Sequence, residues 1–396
     1  MGARFPFLGE LPLFFSAPTM SRSSRFSGKS VLAAALLLLA APAAPAQQTS
    51  PTELPPPTPP PPPDVPAAAG DSLESGGPAL GTLTFPTSGA TEAARQAFRT
   101  GVLALHSFWY PEARDRFRKA QRLDPGFAMA YWGEAMTHEH PLWEQHDGEA
   151  GRAVLTRLDS VKAARDGTLD VTAREQTYLD ALRTLYEGEG DIEERRAAYA
   201  EQMTRLAERF PDDEATLFAA LARMGAPRFD LEDADEVVDV AAPLEGLYRD
   251  HPRHPGVLHY LIHAYDSETF APMGRRMART YAQVAPSSSH ALHMPSHIFR
   301  ELEMWEKMAA SNVDAYRASV QWQQETDRPL RMRDFHAYRW LFDAYMAQEK
   351  YDQTARLIER LNGLIETARE RGEDPGYMTD LLDRLRKHQE ARTMTE

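Results

Sequence analysis

The sequence contains no cysteine among its 396 residues. This absence excludes disulfide bonds, thiolate metal ligands, a thiol nucleophile and a lipid attached through cysteine. The fold must therefore be stabilised by apolar packing. Any metal held by side chains must use histidine, aspartate, glutamate or methionine.

The chain also lacks an apolar run of the roughly 20 residues needed to cross a membrane. The apolar run at 31–41 follows three basic residues and precedes the small residues Ala44-Pro45-Ala46. A basic start, a short apolar run and a small-residue cleavage sequence are typical of a secretory signal peptide. We therefore predict a signal peptide at residues 1–46, with translation starting at Met20, and a periplasmic or secreted protein without a membrane span.

Basic residues are fewer than acidic ones, 44 against 58 in the whole chain. The predicted signal peptide contains four basic residues and one acidic residue, so its removal leaves a net charge near −17. Such a charge repels the phosphates of nucleic acids and anionic lipids. We therefore do not expect nucleic acid as a partner. The sequence leaves the oligomeric state open.

Several common motifs are missing as well. The sequence has no Gly-rich phosphate loop, no Gly-x-Ser-x-Gly elbow and no His-Glu-x-x-His zinc-peptidase helix, and no segment has the alternating pattern of a strand. Residues 47–90 are rich in proline, which predicts an extended linker without a core. No catalytic residue is identified by these searches.

From residue 91 onward the sequence has the pattern of paired helices. Gly101, Ala113, Phe117 and Ala120 fall at the small and aromatic positions of a 34-residue unit. A new helical pattern starts three residues after Pro125, and later prolines repeat this spacing. We predict units that begin at residues 94, 128, 214, 255, 289 and 335, with the period lost at 142–200 and 318–334.

This spacing resembles that of tetratricopeptide-repeat proteins over residues 91–390. The strings HPGVLHYLIHAYD and HALHMPSHIF are similar to those of exported bacterial proteins of this type. The resemblance implies an all-α fold, a right-handed α-solenoid of antiparallel helix pairs with a concave groove. It implies that positions 2, 5, 9, 12 and 13 of each unit face the groove, and it implies no particular reaction.

The histidines recur in register with these units. Eight of the 13 fall on predicted groove positions. They are His290 and His336 at position 2, His259 and His293 at position 5, His263 and His297 at position 9, and His106 and His140 at position 13. We interpret His106 and His140 as partly buried groove histidines bonded to neighbours, and His336 as a further groove residue. The other five are the candidates for metal binding.

Positions 5 and 9 lie on one helix face, with Cβ atoms about 5–6 Å apart. Neighbouring helices pack about 8–10 Å apart, so His259, His263, His293 and His297 could share one metal ion. Imidazole nitrogens suit zinc, copper or iron. Asp266 is predicted as a further ligand or as the acceptor that orients a ring, and His290 as a further ligand. Pro295 is expected to kink or delay the helix that carries the second pair.

Two functions of different classes remain open from the sequence. The first is a binding protein whose groove holds a protein or peptide ligand, with Arg339 and Asp343 at positions 5 and 9 of the last unit as contacts. The second is a metalloprotein, in its alternative form a metal-dependent enzyme of unknown reaction, that uses the histidine cluster.

Overall fold

The computed structural model describes residues 78–227 and 229–393. The fold of this part of the chain is all-α, as predicted. The predicted signal peptide and the linker up to residue 77 lie outside the described residues. Within the described part, no helix has the length and apolarity that a membrane crossing requires.

The helices follow one another with short connections. The first eight are α1 Glu92–His106, α2 Tyr110–Leu123, α3 Ala128–Met136, α4 Gly148–Ala163, α5 Ala173–Glu187, α6 Ile192–Arg209, α7 Asp213–Met224 and α8 Ala234–Asp250. The remainder are α9 Pro255–Ala264, α10 Ala271–Val284, α11 Ser289–His293, α12 Pro295–Glu301, α13 Trp305–Glu325, α14 Phe335–Ala347, α15 Tyr351–Glu370 and α16 Tyr377–Thr393. Single 3₁₀ turns occur at Pro141–Trp143 and Leu330–Met332.

Side-chain caps fix where several of these helices begin. Thr91, Asp212, Ser288 and Asp334 each accept a hydrogen bond from a backbone N–H in the first turn of the helix that follows. Such a cap satisfies a donor that the helix itself leaves unpaired. Six helices, which begin at residues 92, 128, 213, 255, 289 and 335, start within two residues of the six predicted unit starts.

Consecutive helices pack against each other, and the first helices of different pairs also meet. Helix α1 contacts both α3 and α9, and α9 contacts α7 and α12. Phe85 fills the space among the first helices, with its ring centroid 5.2 Å from that of Phe98 on α1, 5.8 Å from Trp132 on α3 and 6.4 Å from Phe218 on α7. This packing brings the end of α1 against α9, where two of the candidate histidines lie.

The packed region starts earlier in the chain than predicted. Residues 78–90 form no helix, but Leu80 and Phe85 within them are buried in the core. The prediction of a coreless linker up to residue 90 is therefore corrected for these residues. Burial of Phe85 helps to dock this extended segment, because an aromatic side chain removes about 150–250 Å² from water.

The stretch at 142–200, where the predicted period is lost, contains structure that the sequence did not reveal. Helices α5 and α6 pack as a further pair. Before them, β1 Glu139–His140 and β2 Gln145–His146 form a short antiparallel hairpin. Four residues of strand are too few to produce an alternating pattern.

Pro295 interrupts the helix as expected, with α11 ending at His293 and α12 starting at the proline. Met294 nevertheless keeps helical backbone angles, φ −52° and ψ −36°. Because the backbone turns as it would in a continuous helix, His293 and His297 remain on one face.

Candidate metal centre

A first group of three histidines, triad A, joins α9 to α11. It consists of His259 and His263 on α9 and His290 on α11. The Nε2 atom of His259 lies 3.1 Å from Nε2 of His263 and 3.2 Å from Nε2 of His290. Three imidazole nitrogens within 4.8 Å of one another could hold a metal ion.

A second group, triad B, joins the broken helix to α14. It consists of His293 on α11, His297 on α12 and His336 on α14. The Nε2 atom of His293 lies 3.2 Å from Nε2 of His297 and 3.1 Å from Nε2 of His336. This triad could hold a metal ion in the same way.

The two triads follow one rule of assembly. Each takes positions 5 and 9 from one predicted unit and position 2 from the next. The four histidines predicted to share one ion are thus divided, with His259 and His263 in triad A and His293 and His297 in triad B. His290, predicted as a ligand, completes triad A, and His336, predicted only as a groove residue, completes triad B.

The Nδ1 atoms of three triad rings face hydrogen-bond acceptors. Nδ1 of His259 lies 2.5 Å from the carbonyl oxygen of His106, and Nδ1 of His297 lies 2.5 Å from Oδ2 of Asp266. Nδ1 of His293 lies 2.7 Å from Oδ1 of Asn312, whose amide nitrogen donates to the carbonyl of Met308. Because these acceptors have no proton to give, each Nδ1 carries the hydrogen and each Nε2 carries a lone pair. Asp266 therefore takes the second of its two predicted roles, that of orienting a ring.

Burial and mutual repulsion keep the triad rings neutral. Burial, with repulsion from neighbouring imidazoles, lowers the pKa well below 6.5 at five of the six rings, namely His259, His263, His290, His297 and His336. Burial also lowers the pKa of His293, although Asp334 opposes the shift. A neutral imidazole is the form that binds a metal ion.

One aromatic ring contacts all three imidazoles of each triad. The Phe108 centroid lies 4.3 Å from His259, 5.7 Å from His263 and 5.5 Å from His290. The Trp340 centroid lies 4.9 Å from His293, 4.5 Å from His297 and 5.7 Å from His336. These rings, which sequence reasoning missed, replace water with apolar surface and so control the polarity around the nitrogens.

A third cluster contains His106, Glu214 and His254 and differs in its hydrogen bonding. The two oxygens of Glu214 lie 2.7 Å from Nε2 of His106 and 3.1 Å from Nε2 of His254, and Nδ1 of His106 lies 2.9 Å from the Tyr260 hydroxyl. Burial alone would raise the pKa of Glu214, but the two histidines lower it to about 2. Both nitrogens of His106 are thus bonded to neighbours, and the ring is fully buried where a partly buried groove position was predicted. Sequence reasoning missed Glu214, although a charged residue in the first turn of an otherwise apolar helix could have indicated it.

The remaining predicted groove residues lie outside the triads. His140 stacks on Tyr110, with centroids 3.8 Å apart, and its Nδ1 lies 3.1 Å from Oε1 of Gln145. Arg339 and Asp343 lie 3.8 Å apart from Nε to Oδ2 and are only 3% and 2% exposed. Burial raises the pKa of Asp343 to about 7, although Arg339 opposes the shift. Burial of this pair gives no support to the predicted peptide or anion contact.

No protein-family model matches the chain, and no curated protein matches it significantly.

Proposed function

We propose that the protein is a metalloprotein that binds one transition-metal ion in each histidine triad. The observation that carries the proposal is the pair His293 and His297, whose Nε2 atoms lie 3.2 Å apart. Both rings give their Nδ1 proton to another acceptor, so two lone pairs face each other and no hydrogen bond can join them. A cation between the nitrogens turns this repulsion into attraction.

The spacing of the nitrogens also suits a metal ion. Two ligands bound at about 2.0–2.1 Å in tetrahedral geometry are roughly 3.3 Å apart. The shortest Nε2 separations in both triads are 3.1–3.2 Å. Imidazole donors suit zinc, copper or iron, and hard cations such as magnesium or calcium prefer oxygen ligands.

The number of ligands favours a reactive site over a purely structural one. A structural zinc site is usually closed by four protein ligands, whereas a catalytic site has three and keeps one position for water or substrate. Each triad supplies three nitrogens. A metal-dependent enzyme is therefore the second candidate function, with the six triad histidines as its metal ligands.

For the architecture and location we propose an exported tetratricopeptide-type solenoid. The agreement between six helix starts and the predicted unit starts supports the repeat assignment. The shared rule by which both triads are assembled supports it as well, because it requires the same offset between two successive units. The basic, apolar and small-residue pattern at 1–46 supports export.

Elemental analysis tests the proposed metal binding. Untagged protein, purified without chelators and then offered zinc, copper or iron, should retain two equivalents of a transition metal. His263→Ala and His336→Ala should each remove about one equivalent, because each removes one ligand of a three-ligand site. These two rings are the more exposed member of their triads, so their loss disturbs packing least.

The matched control is His251→Ala. This side chain is 51% exposed, pairs with Asp213 and lies outside both triads. It should leave the metal content unchanged and so exclude a general loss of metal on removing any histidine. Wild-type protein that retains no metal at neutral pH would overturn the proposal.

A further inference from the structure

The two triads are in contact with each other. The ring centroids of His263 in triad A and His297 in triad B are 5.5 Å apart, and those of His290 and His293 are 5.8 Å apart. Contacts within a triad are little shorter, at 4.8 Å for His259 and His263 and 4.6 Å for His293 and His336. The six imidazoles therefore form one continuous cluster.

Each of the six histidines points its Nε2 atom toward the other histidines of its triad. The close contacts in triad A and in triad B join Nε2 to Nε2 in every case. Two ions held at these nitrogens would lie in neighbouring sites joined by two ring contacts. In two-metal sites the ions are about 3.5–4 Å apart and act together on one bound group.

The donor set selects among the metals that imidazole binds. Neither triad contains a carboxylate, and the nearest one bonded to a ligand is Asp266, which binds Nδ1 of His297 and not the metal position. Bringing charge into a buried site without carboxylates is costly. Two Cu(I) ions bring two positive charges, whereas two Zn(II) or Fe(II) ions bring four. In its oxidised form, Cu(II), copper also binds a given set of ligands more tightly than the other divalent first-row transition metals do.

Burial restricts what a third molecule at this centre can be. His259, His290, His293 and His297 are 7% exposed or less, only His263 and His336 are partly exposed, and Phe108 and Trp340 contact the two triads. A ligand that reaches both ions must therefore be small. A diatomic molecule meets this condition, and a peptide or a sugar does not.

We propose that the two triads form one dinuclear copper centre that binds dioxygen between its ions. This inference rests on the proposed function, because it requires both triads to hold metal. In the binding step each Cu(I) gives up one electron, and dioxygen takes both and becomes a peroxide dianion. Two Cu–O bonds form, the O–O σ bond stays intact, and no proton or further reductant is needed.

The experiment uses the mature protein loaded with Cu(I) in the absence of air. On addition of air, it should consume one dioxygen for every two copper ions and develop a peroxide-to-Cu(II) absorption band. Its electron paramagnetic resonance signal should be far weaker than one spin per copper, because two bridged Cu(II) ions couple. His263→Ala and His336→Ala should each bind one copper, show its full spin after oxidation, and form no peroxide band.

The ways in which this experiment can fail are distinguishable. Two copper ions per chain that each give a full, isolated spin and no dioxygen uptake would overturn the dinuclear centre but leave metal binding intact. Retention of zinc or iron in place of copper would overturn the dioxygen-binding copper centre but leave metal binding intact. Absence of any bound metal would overturn both proposals. The wild-type measurements decide among these outcomes even if a variant fails to fold, which circular dichroism would reveal.

Discussion

His297 and Asp266 are 31 residues apart in sequence and are joined by a hydrogen bond of 2.5 Å from Nδ1 to Oδ2. The bond fixes the ring and directs Nε2 toward triad B. Burial raises the pKa of Asp266, while Arg300, whose Nη2 lies 3.4 Å from Oδ1, opposes the shift. The carboxylate thus contacts the Nδ1 side of the His297 ring and lies outside the three Nε2 atoms of triad B.

Asp266→Ala should therefore weaken metal binding at triad B alone. Loss of such an orienting partner typically lowers metal affinity 10–100-fold, so we expect a change of about that size. Asp266→Asn keeps an acceptor without the charge and should lose less. Titration calorimetry with the metal measures binding at triad A and at triad B as two separate steps. The step that belongs to triad A should stay unchanged, because its ring His259 is oriented by a backbone carbonyl. Equal weakening of both steps would contradict the assignment.

The acid release of metal should occur below the usual pKa of histidine. Protons compete with a metal for an imidazole only as the pH approaches the pKa of the ring, and burial lowers that pKa well below 6.5 at five of the six ligands. The metal should therefore stay bound as the pH falls through 6.5. Equilibrium dialysis across a pH series, with an exposed hexahistidine peptide as reference, measures this. Release from the protein at the same pH as from the peptide would contradict the prediction.

The metal-free protein should lose stability as the pH falls below about 6.5. Its unfolded state takes up protons on these histidines below about pH 6.5, whereas the folded state, with lowered pKa values, does not. The unfolded state then binds more protons, so the free energy of unfolding falls as the pH falls. Urea unfolding at several pH values measures the slope. A metal-free protein whose stability is constant from pH 7 to pH 5 would contradict it.

Gly256 and Gly363 form a matched pair for testing the His106 cluster. A Cβ at Gly256 would lie 2.6 Å from Nδ1 of His106 and would displace that ring from Tyr260. We expect Gly256→Ala to cost about 1–3 kcal/mol of unfolding free energy, as overpacking usually does. Gly363 lies inside α15, and a Cβ added there would meet nothing within 4 Å, so Gly363→Ala should stabilise by about 0.5–1 kcal/mol. Thermal unfolding of both variants checks the signs.

Export should leave a mature chain that begins at Gln47. The measurement is N-terminal sequencing of protein recovered from the periplasm or the medium. Limited proteolysis of this mature form should remove the proline-rich stretch and stop before Leu80, because Leu80 and Phe85 are buried in the core. Recovery of a chain beginning at Met20 from the membrane fraction would contradict the first expectation, and ready cleavage at residues 80–90 the second.

The sequence contained much of the information about the individual helices. The six predicted unit starts lie within two residues of the starts of α1, α3, α7, α9, α11 and α14, whereas the α5–α6 pair was not predicted. The predicted spacing also placed His259 with His263 and His293 with His297. It could not predict that these pairs belong to two separate triads. That division depends on the offset between successive helices, which brings His290 beside α9 and His336 beside α11, and no pattern within one helix specifies it.

The residues that surround the triads were also hidden from sequence reasoning. Asn312 lies on the second helix of its unit, at a position with no predicted groove role. Phe108 lies between helices and adopts a left-handed backbone conformation, φ 48°, which a phenylalanine in a regular pattern would not suggest. The contacts of Asn312 and Phe108 with the triads depend on how neighbouring helices pack, which only the folded structure shows.

In the proposed solenoid, His290 and His336 would each tie one unit to the unit before it. In repeat proteins each unit contacts only its neighbours, and stability is close to a sum of local terms, so the ends can unfold on their own. A metal ion held by α9 and α11, and another held by α11, α12 and α14, would add bonds that break only when two units separate. The metal-loaded array would then unfold as a larger cooperative block, and removal of metal would release its C-terminal units to open independently.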